Sequence, residues 1–475
     1  MTAQGAAPLV ALWHDIVNAV GLNAAVAILI LCAVVPYALL IRAGNQKAAR
    51  KRQLAAAFAA RAADEAEAER EAAAARAKTE AAAQRAEQKQ RKADAKARKQ
   101  RAAAERKRRL VCSATGHSDV VRAAAFSRDG RLLATAGGDN DRSVRVWYCR
   151  ALFGGGGGGG GKARPEAGKA PKYHRVAVEL DHASAVGLSE NGRRLVFATA
   201  GGRDVLVYAL AKGGFNAAAR PERHAAFPSR QKSEVAAVRF VSAGASAFVV
   251  TGGSGQDTEV RFFSPAGAPL QTLNTNTTVH YGLAVSADNR LVGVASFAAE
   301  ATVLEVVYGK GGAFEKARRA MVLRGHSGSV RGVAFQGAGA AAGGGGGGGG
   351  PPTRAATVGK DGRWALHDVA VRYDLNEDPK TLNLSDVDRA LGAGGEGGPL
   401  DHVALSPDGR VVAVARAAGV AFYDADTGRR IGDAIADAHE DRVAWLEFSA
   451  DGRVLGTLGT ASKHCRLWRV PQAGE

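Results

Sequence analysis

The chain has 475 residues, 23% of them charged, and a formal net charge of +18 with an isoelectric point of ≈ 10.0. That length suits two or three average domains or one large all-β domain with appendages, and the basic excess favours an acidic partner without deciding the fold. The four cysteines (Cys32, Cys112, Cys149, Cys465) contain no CxxC pair and no His/Cys cluster at zinc spacing, so reduced thiols are expected and a disulfide framework or structural metal is not.

In chain order, residues 1–15 read as a short lumenal N-terminus, and 16–41 as a membrane anchor. No charged residue occurs between Ile16 and Ile41, and Leu22 to Ile41 reads LNAAVAILILCAVVPYALLI. A helix rising ~1.5 Å per residue crosses the ~30 Å bilayer core in about 20 residues. A cleaved signal would start with basic residues and exit through small ones; here the start is nearly uncharged and the exit is YALLIRAGNQK. Arg42, Lys47, Arg50, Lys51 and Arg52 follow the segment, against Asp15 before it, so the positive-inside rule keeps the C-terminal side cytosolic.

Residues 42–109 form a charged stalk. They hold 21 Lys/Arg and 9 Asp/Glu, a net +12, and are dominated by helix formers, with neither Gly nor Pro after Gly44. Acid-first pairs at i,i+4 (Glu87–Arg91, Asp94–Arg98, Glu105–Arg109) favour a helix. Phe58 is the one large apolar residue between Leu54 and Leu110, which excludes an ordinary coiled coil or a lipid-lying helix. Two readings stay open: a solvated spacer, or a polyanion-binding element. The second rests on Arg85 to Arg109, with 12 basic and 3 acidic residues, and in particular on Arg98, Lys99, Arg101, Arg106, Lys107, Arg108 and Arg109. Arg85 would lie ~65 Å along a straight helix from the apolar segment, beyond reach of lipid headgroups screened over ~8 Å. Ribosomal or messenger RNA is the natural polyanion, held through phosphates since no aromatic residue interleaves the basic ones.

After Arg109 a pattern recurs: a GH start, an apolar strand, an S-x-D-G turn, an alternating strand, an Asp turn and a strand ending in Trp. It is clearest in GHSDVVRAAAFSRDGRLLATAGGDNDRSVRVW (Gly116 to Trp147) and AHEDRVAWLEFSADGRVLGTLGTASKHCRLW (Ala438 to Trp468). A third clear copy starts GHSGSVRGVAF at Gly325 and resumes as AATVGKDGRWALHD. Weaker copies start at Leu180, Ser233, His280 and Pro399. Seven copies resemble WD40 repeats, which implies an all-β, seven-bladed propeller over 110–471, with four strands per blade, behind one transmembrane helix and a long charged helical stalk. RLVCSA, before the first GH, has no blade of its own and is expected to close the ring beside HCRLWRV, placing Cys112 and Cys465 on neighbouring strands.

The resemblance also implies roles for polar residues. In a WD40 blade an Asp bonds the GH histidine, which bonds a Ser/Thr, which bonds the Trp indole. Carried onto this chain, that assigns His117, Thr135, Asp141 and Trp147 to blade one. Blade five carries His326, Thr357 and Asp361, with His367 in the Trp place, and is expected to be incomplete. Blade seven keeps His439, Thr457 and Trp468, with Ser462 replacing the Asp. These groups read as scaffold; no nucleophile accompanies the His–Asp pairs, so no catalysis, cofactor or metal is expected.

Glycine tracts at 154–161 and 343–350 match phosphate-loop patterns only as any glycine run does, and Ala163 stands where Ser/Thr would hold magnesium. One follows the third strand of blade one and the other the first strand of blade five, loops that emerge on the same face. The opposite face, carrying the GH and Asp-turn loops, is the expected partner surface, with Asp119, Lys360 and Arg442 as candidates.

Four stretches are more specific: VELDHAS (Val178 to Ser184), LNTNTTVHYGLAVSAD (Leu273 to Asp288), YGKGGAFEKARRAMVLRGHSGSV (Tyr308 to Val330) and GKDGRWALHDVAVRYDLNEDP (Gly359 to Pro379). They resemble the transducin β-like protein 2 family over roughly Val111 to Val470. That resemblance implies an endoplasmic-reticulum membrane protein with a cytosolic propeller, linked to a stress-sensing kinase of the unfolded-protein response and to ribosomes and mRNA. The expected function is therefore a membrane-anchored interaction scaffold, with RNA or ribosome tethering through 85–109 as the alternative.

Overall fold

The computed structural model describes residues 7–128, 130–149, 171–243, 246–337, 353–372, 377–387, 391 and 400–471; both glycine tracts lie outside the described residues. The chain divides into two compact units, Met1–Ala97 and Arg98–Glu475. In the first, a helix Ala7–Val20 ends at Gly21, whose φ of 83° is a left-handed conformation that glycine adopts without a Cβ clash. The break falls inside the expected 16–41 segment, so Ile16 to Val20 belong to the short helix. A second helix, Leu22–Arg109, opens on a stretch long and apolar enough to cross a membrane, with Leu31, Leu39 and Leu40 exposed on it. Further along, Arg91 pairs with Glu87 at 2.6 Å as the spacing predicts. The last turns of this helix belong to the second unit.

The second unit is a seven-bladed propeller. Among the described residues, six sheets have four antiparallel strands and one has three. Blade one occupies 121–177, blade two 183–228, blade three 235–274, blade four 282–323, blade five 330–386 and blade six 400–424. Blade seven takes three strands from 443–469 and its fourth from the other end of the domain. Strand Leu110–Thr115 pairs antiparallel with His464–Arg469, in the register Cys112↔Leu467 and Ala114↔Cys465, as RLVCSA and HCRLWRV led us to expect. Blade six departs from four strands: its outer edge is reduced to the bridges Val420↔Ile435 and Tyr423↔Arg430. Gly428 and Gly432, at φ 70° and 61°, interrupt the extended run that a fourth strand requires.

The recurring S-x-D-G turn has a local cause. Its serine donates to the aspartate two residues on (Ser286 to Asp288 and Ser449 to Asp451, both 2.6 Å) and accepts the N–H five residues on (Leu291, 2.8 Å; Val454, 3.1 Å). The fourth position takes positive φ, so it is Gly in most blades and Asn289, at 61°, in blade four.

Between the blades, alternation along each strand sends one side-chain set to each neighbouring sheet. Seven apolar clusters result, each shared by two adjacent blades. The one joining blades seven and one contains Cys112, Cys149, Cys465, Trp147 and Leu467. The three cysteines are buried and free, and burial pushes the Cys112 thiol up to about 12. Among the described residues every junction of the ring buries apolar surface, including the closing one.

Candidate functional site

The polar groups inside the blades obey a donor logic. In blade one the Trp147 indole can only donate, and it does so to Thr135 Oγ1 at 2.7 Å. The single hydroxyl proton of Thr135 then goes to His117 Nε2, 2.7 Å away, which fixes the imidazole proton on Nδ1, where Asp141 accepts it. Ser143 and Ser118 also donate to Asp141, at 2.8 and 3.1 Å. Burial by itself would raise the Asp141 carboxyl, but these hydrogen bonds outweigh it and hold it at about 2. Burial keeps His117 neutral, below its ordinary range.

Blade five completes the same chain, contrary to the expectation from its missing tryptophan. His367 Nε2 lies 2.9 Å from Thr357 Oγ1, His326 Nε2 2.9 Å from the same hydroxyl, and His326 Nδ1 3.1 Å from Asp361. An imidazole with its proton on Nε2 presents the same donor as an indole. His367 is 1% exposed, and burial lowers it to about 4, so it remains neutral.

In blade seven, Trp468 donates to Thr457 at 2.7 Å and His439 Nε2 lies 2.9 Å from that hydroxyl. Where blade one has a carboxylate, His439 Nδ1 meets Ser462 Oγ at 2.9 Å, and Ser462 in turn donates to Asp441 at 3.3 Å. The carboxylate is one relay further away. Burial, then Arg466, lowers His439 to about 3.

Blade three contains a variant that the repeat pattern did not reveal. Phe263 stands at the Trp position and donates nothing, so Thr251 Oγ1 receives its donor from Gln231 Nε2, at 2.9 Å. Arg261 satisfies Gln231 Oε1 and bonds Asp257 at 3.1 Å. The joint change of His to Gln and Trp to Phe is the signal that identifies it. All four networks serve to clip the loops of one propeller face to the blades beneath, each hydrogen bond contributing about 1 kcal/mol net.

On that face, Asp119 accepts the Asn140 N–H at 2.9 Å, which with its other backbone bond lowers its carboxyl below the usual range. Lys360 is exposed. Arg442 is exposed but committed to Asp401 of blade six, Nε to Oδ2 2.6 Å. The three come from blades one, five and seven, so the structure spreads them around the face.

At the end of the long helix the basic residues differ in availability. Arg101 and Lys107 are exposed, Arg106 is half-buried, and the side chains of Arg98 and Lys99 lie outside the described residues. Arg108 pairs with Glu105 at 3.0 Å. Arg109 is 2% exposed, paired with Glu105 and placed over the Phe422 ring at 5.8 Å. Packing therefore removes Arg109 from any polyanion surface: it anchors the helix end to blade six.

The inner strands surround a central channel of ≈ 380 Å³. Arg128 crosses one mouth, donating to the carbonyls of Ser286 (2.8 Å) and Ala287 (2.5 Å) in blade four and pairing with Glu190 of blade two. Deeper in, Glu447 accepts the Phe126 N–H at 3.4 Å; desolvation raises its carboxyl against the pull of Arg239. None of this charge was singled out by the repeat. Among the described residues no three His, Cys, Asp or Glu side chains group as metal ligands.

Comparison with known proteins follows the same lines. The family described as WD domain, G-beta repeat, matches residues 108–148. Transducin beta-like protein 2 of Homo sapiens is 30% identical over 355 residues, covering 74% of this chain and 70% of the human protein. Its Mus musculus counterpart is 30% identical over 353 residues, with the same shares. With the seven blades, their closing strand and this similarity along most of the propeller, the chain belongs to the transducin beta-like protein 2 family.

Proposed function

We propose that this protein is a single-pass membrane scaffold of the endoplasmic reticulum whose propeller faces the cytosol and binds protein partners on the face carrying the GH and Asp-turn loops. The observation that carries this reading is continuity: the helix that opens on the apolar stretch runs to Arg109, and the strand that closes the ring starts at Leu110. By family resemblance, the partners are a stress-sensing kinase of the unfolded-protein response and ribosomes or mRNA. Basic residues after Ile41 support the cytosolic orientation, as do four free cysteines.

Orientation has a direct test. The acceptor patterns Asn276-Thr277-Thr278 and Asn383-Leu384-Ser385 lie on the propeller; Asn276 is exposed in a loop, while Asn383 is in strand Lys380–Asp386 with its amide bonded to Ala425 O at 3.0 Å. Endoglycosidase treatment of microsomes should leave mobility unchanged, and protease should digest the propeller of intact vesicles. A deglycosylation shift with a protected propeller sinks the cytosolic reading. Partner binding on the face is tested by reversing Asp119, Lys360 and Arg442 together: co-purifying proteins should be lost while the melting temperature holds to within a few degrees.

The second reading, tethering of RNA or ribosomes through the basic helix, draws on exposed Arg101 and Lys107. Deleting 85–109 also removes the Arg109 anchor, so charge neutralisation of Arg101, Arg106, Lys107 and Arg108 is the cleaner test. Salt-sensitive ribosome association that survives neutralisation excludes this route.

A further inference from the structure

The two mouths of the channel differ. One is crossed by Arg128; among the described residues no comparable bridge spans the other, on the Asp-turn side. At that open mouth Arg331 of blade five holds its guanidinium carbon 4.3 Å from the Tyr281 ring centroid, and its Nε is buried without a hydrogen-bond partner. No carboxylate pairs with it among the described residues, because the neighbouring Asp401 is taken by Arg442. Phe297, 60% exposed, lies on a turn tied to the start of the same strand, the Val330 N–H donating to Ala298 O at 2.7 Å. Of the arginines lining the channel, Arg122, Arg128 and Arg239 each face a carboxylate (Asp139, Glu190 and Glu447), so the charge left for a ligand is that of Arg331, which favours an anion over a cation.

We propose that Arg331, Tyr281 and Phe297 form a subsite for an acidic residue flanked by an apolar one, presented by a peptide segment of a protein partner. The guanidinium, already oriented by the tyrosine ring, offers its terminal N–H groups to a carboxylate, while Nε stays buried beneath them. Phe297 covers the adjacent apolar side chain, and an exposed aromatic beside an oriented arginine is the composition of a binding hot spot. This narrows the proposed partner face to one chemistry and rests on that reading.

The test is selection of a random-dodecamer phage library on the full chain in lipid nanodiscs. Selected peptides should carry Asp or Glu next to Leu, Met or Phe, and should lose at least tenfold in affinity for Arg331→Gln and for Phe297→Ser. Phe297 is exposed, so its variant keeps the wild-type melting temperature; if Arg331→Gln folds poorly, Arg331→Lys, which keeps charge but not the fork, should still weaken binding several-fold. Acidic peptides that bind both variants unchanged, a neutral or basic consensus, or no consensus each overturn the proposal. So does inositol hexakisphosphate raising the melting temperature through Arg331 but not Phe297, which marks a small-anion site. If the subsite fails while triple reversal of Asp119, Lys360 and Arg442 still abolishes partners, the face stands and only this assignment falls.

Discussion

Blade one and blade seven hold the same histidine by different means. Blade one is cut from consecutive chain and gives His117 a carboxylate directly. Blade seven borrows its outer strand from residues 110–115 and reaches Asp441 only through Ser462. What the blades share is the direction of proton donation, from indole to hydroxyl to imidazole to acceptor, and not the identity of the last group. Blade five keeps that direction with an imidazole in place of the indole, whereas blade three loses the first step with the indole and reverses the second, Gln231 donating to the hydroxyl.

The comparison breaks most severely at the borrowed strand. A chain starting at His117 leaves His464–Arg469 as an open edge and uncovers the cluster around Cys465, and should be insoluble or far less stable; an unchanged melting temperature contradicts the closure. Next in size is the hinge of each network. Thr135→Val orphans both Trp147 Nε1 and His117 Nε2 and should cost about 2–6 kcal/mol in denaturant unfolding, at ~1–3 kcal/mol for each buried group left unpaired.

Acid should act on blades five and seven. His367 and His439 are 1% exposed and held neutral, with values lowered to about 4 and about 3. The unfolded chain protonates below ~6.5 while the folded one does not, so the stabilisation is full above that value and is lost as pH falls toward 4 and then 3. Each should cost about 2 kcal/mol by pH 5, read as a falling melting temperature between pH 7 and 5. Asp141, held at about 2, adds its own loss only below its ordinary 3.8. Converting blade seven to the form of blade one is subtler. Ser462→Asp alone puts a carboxylate beside Asp441 and should destabilise by about 1 kcal/mol; adding Asp441→Asn should recover that loss. Smallest is His367→Trp, expected to shift stability by no more than about 1 kcal/mol, since indole and imidazole donate alike.

Much of this was legible in residues that repeat. The S-x-D-G turns, the GH histidines and the unplaced RLVCSA marked blade number, network members and closure, because each depends on local hydrogen bonding or on an unpaired strand. What escaped the pattern was what crosses between repeats. Gln231 and Arg261 compensate for Phe263 only once three strands are side by side. Asp441 reaches Ser462 from 21 residues away, and Arg128 meets blade four across the channel. The thin edge of blade six could have been suspected from Gly428 and Gly432, but glycines at this spacing also occur in ordinary hairpins. Arg109 shows the opposite error: charge alone suggested a polyanion contact, whereas its position on the last helical turn turned it inward.

The direct passage from Arg109 to Leu110 gives the ring a mechanical order. Tension applied at the helix end reaches Arg109 and then Leu110–Thr115, the strand on which closure depends. Arg109, buried against Phe422 and paired with Glu105, is the cleat that takes this load before the strand does. Should it slip, peeling begins at the register irregularity between Leu110 and Cys112 and proceeds into the seam between blades seven and one, not into the interior of any blade. The closing ribbon, not the interior of a blade, is then the first part of the propeller to open.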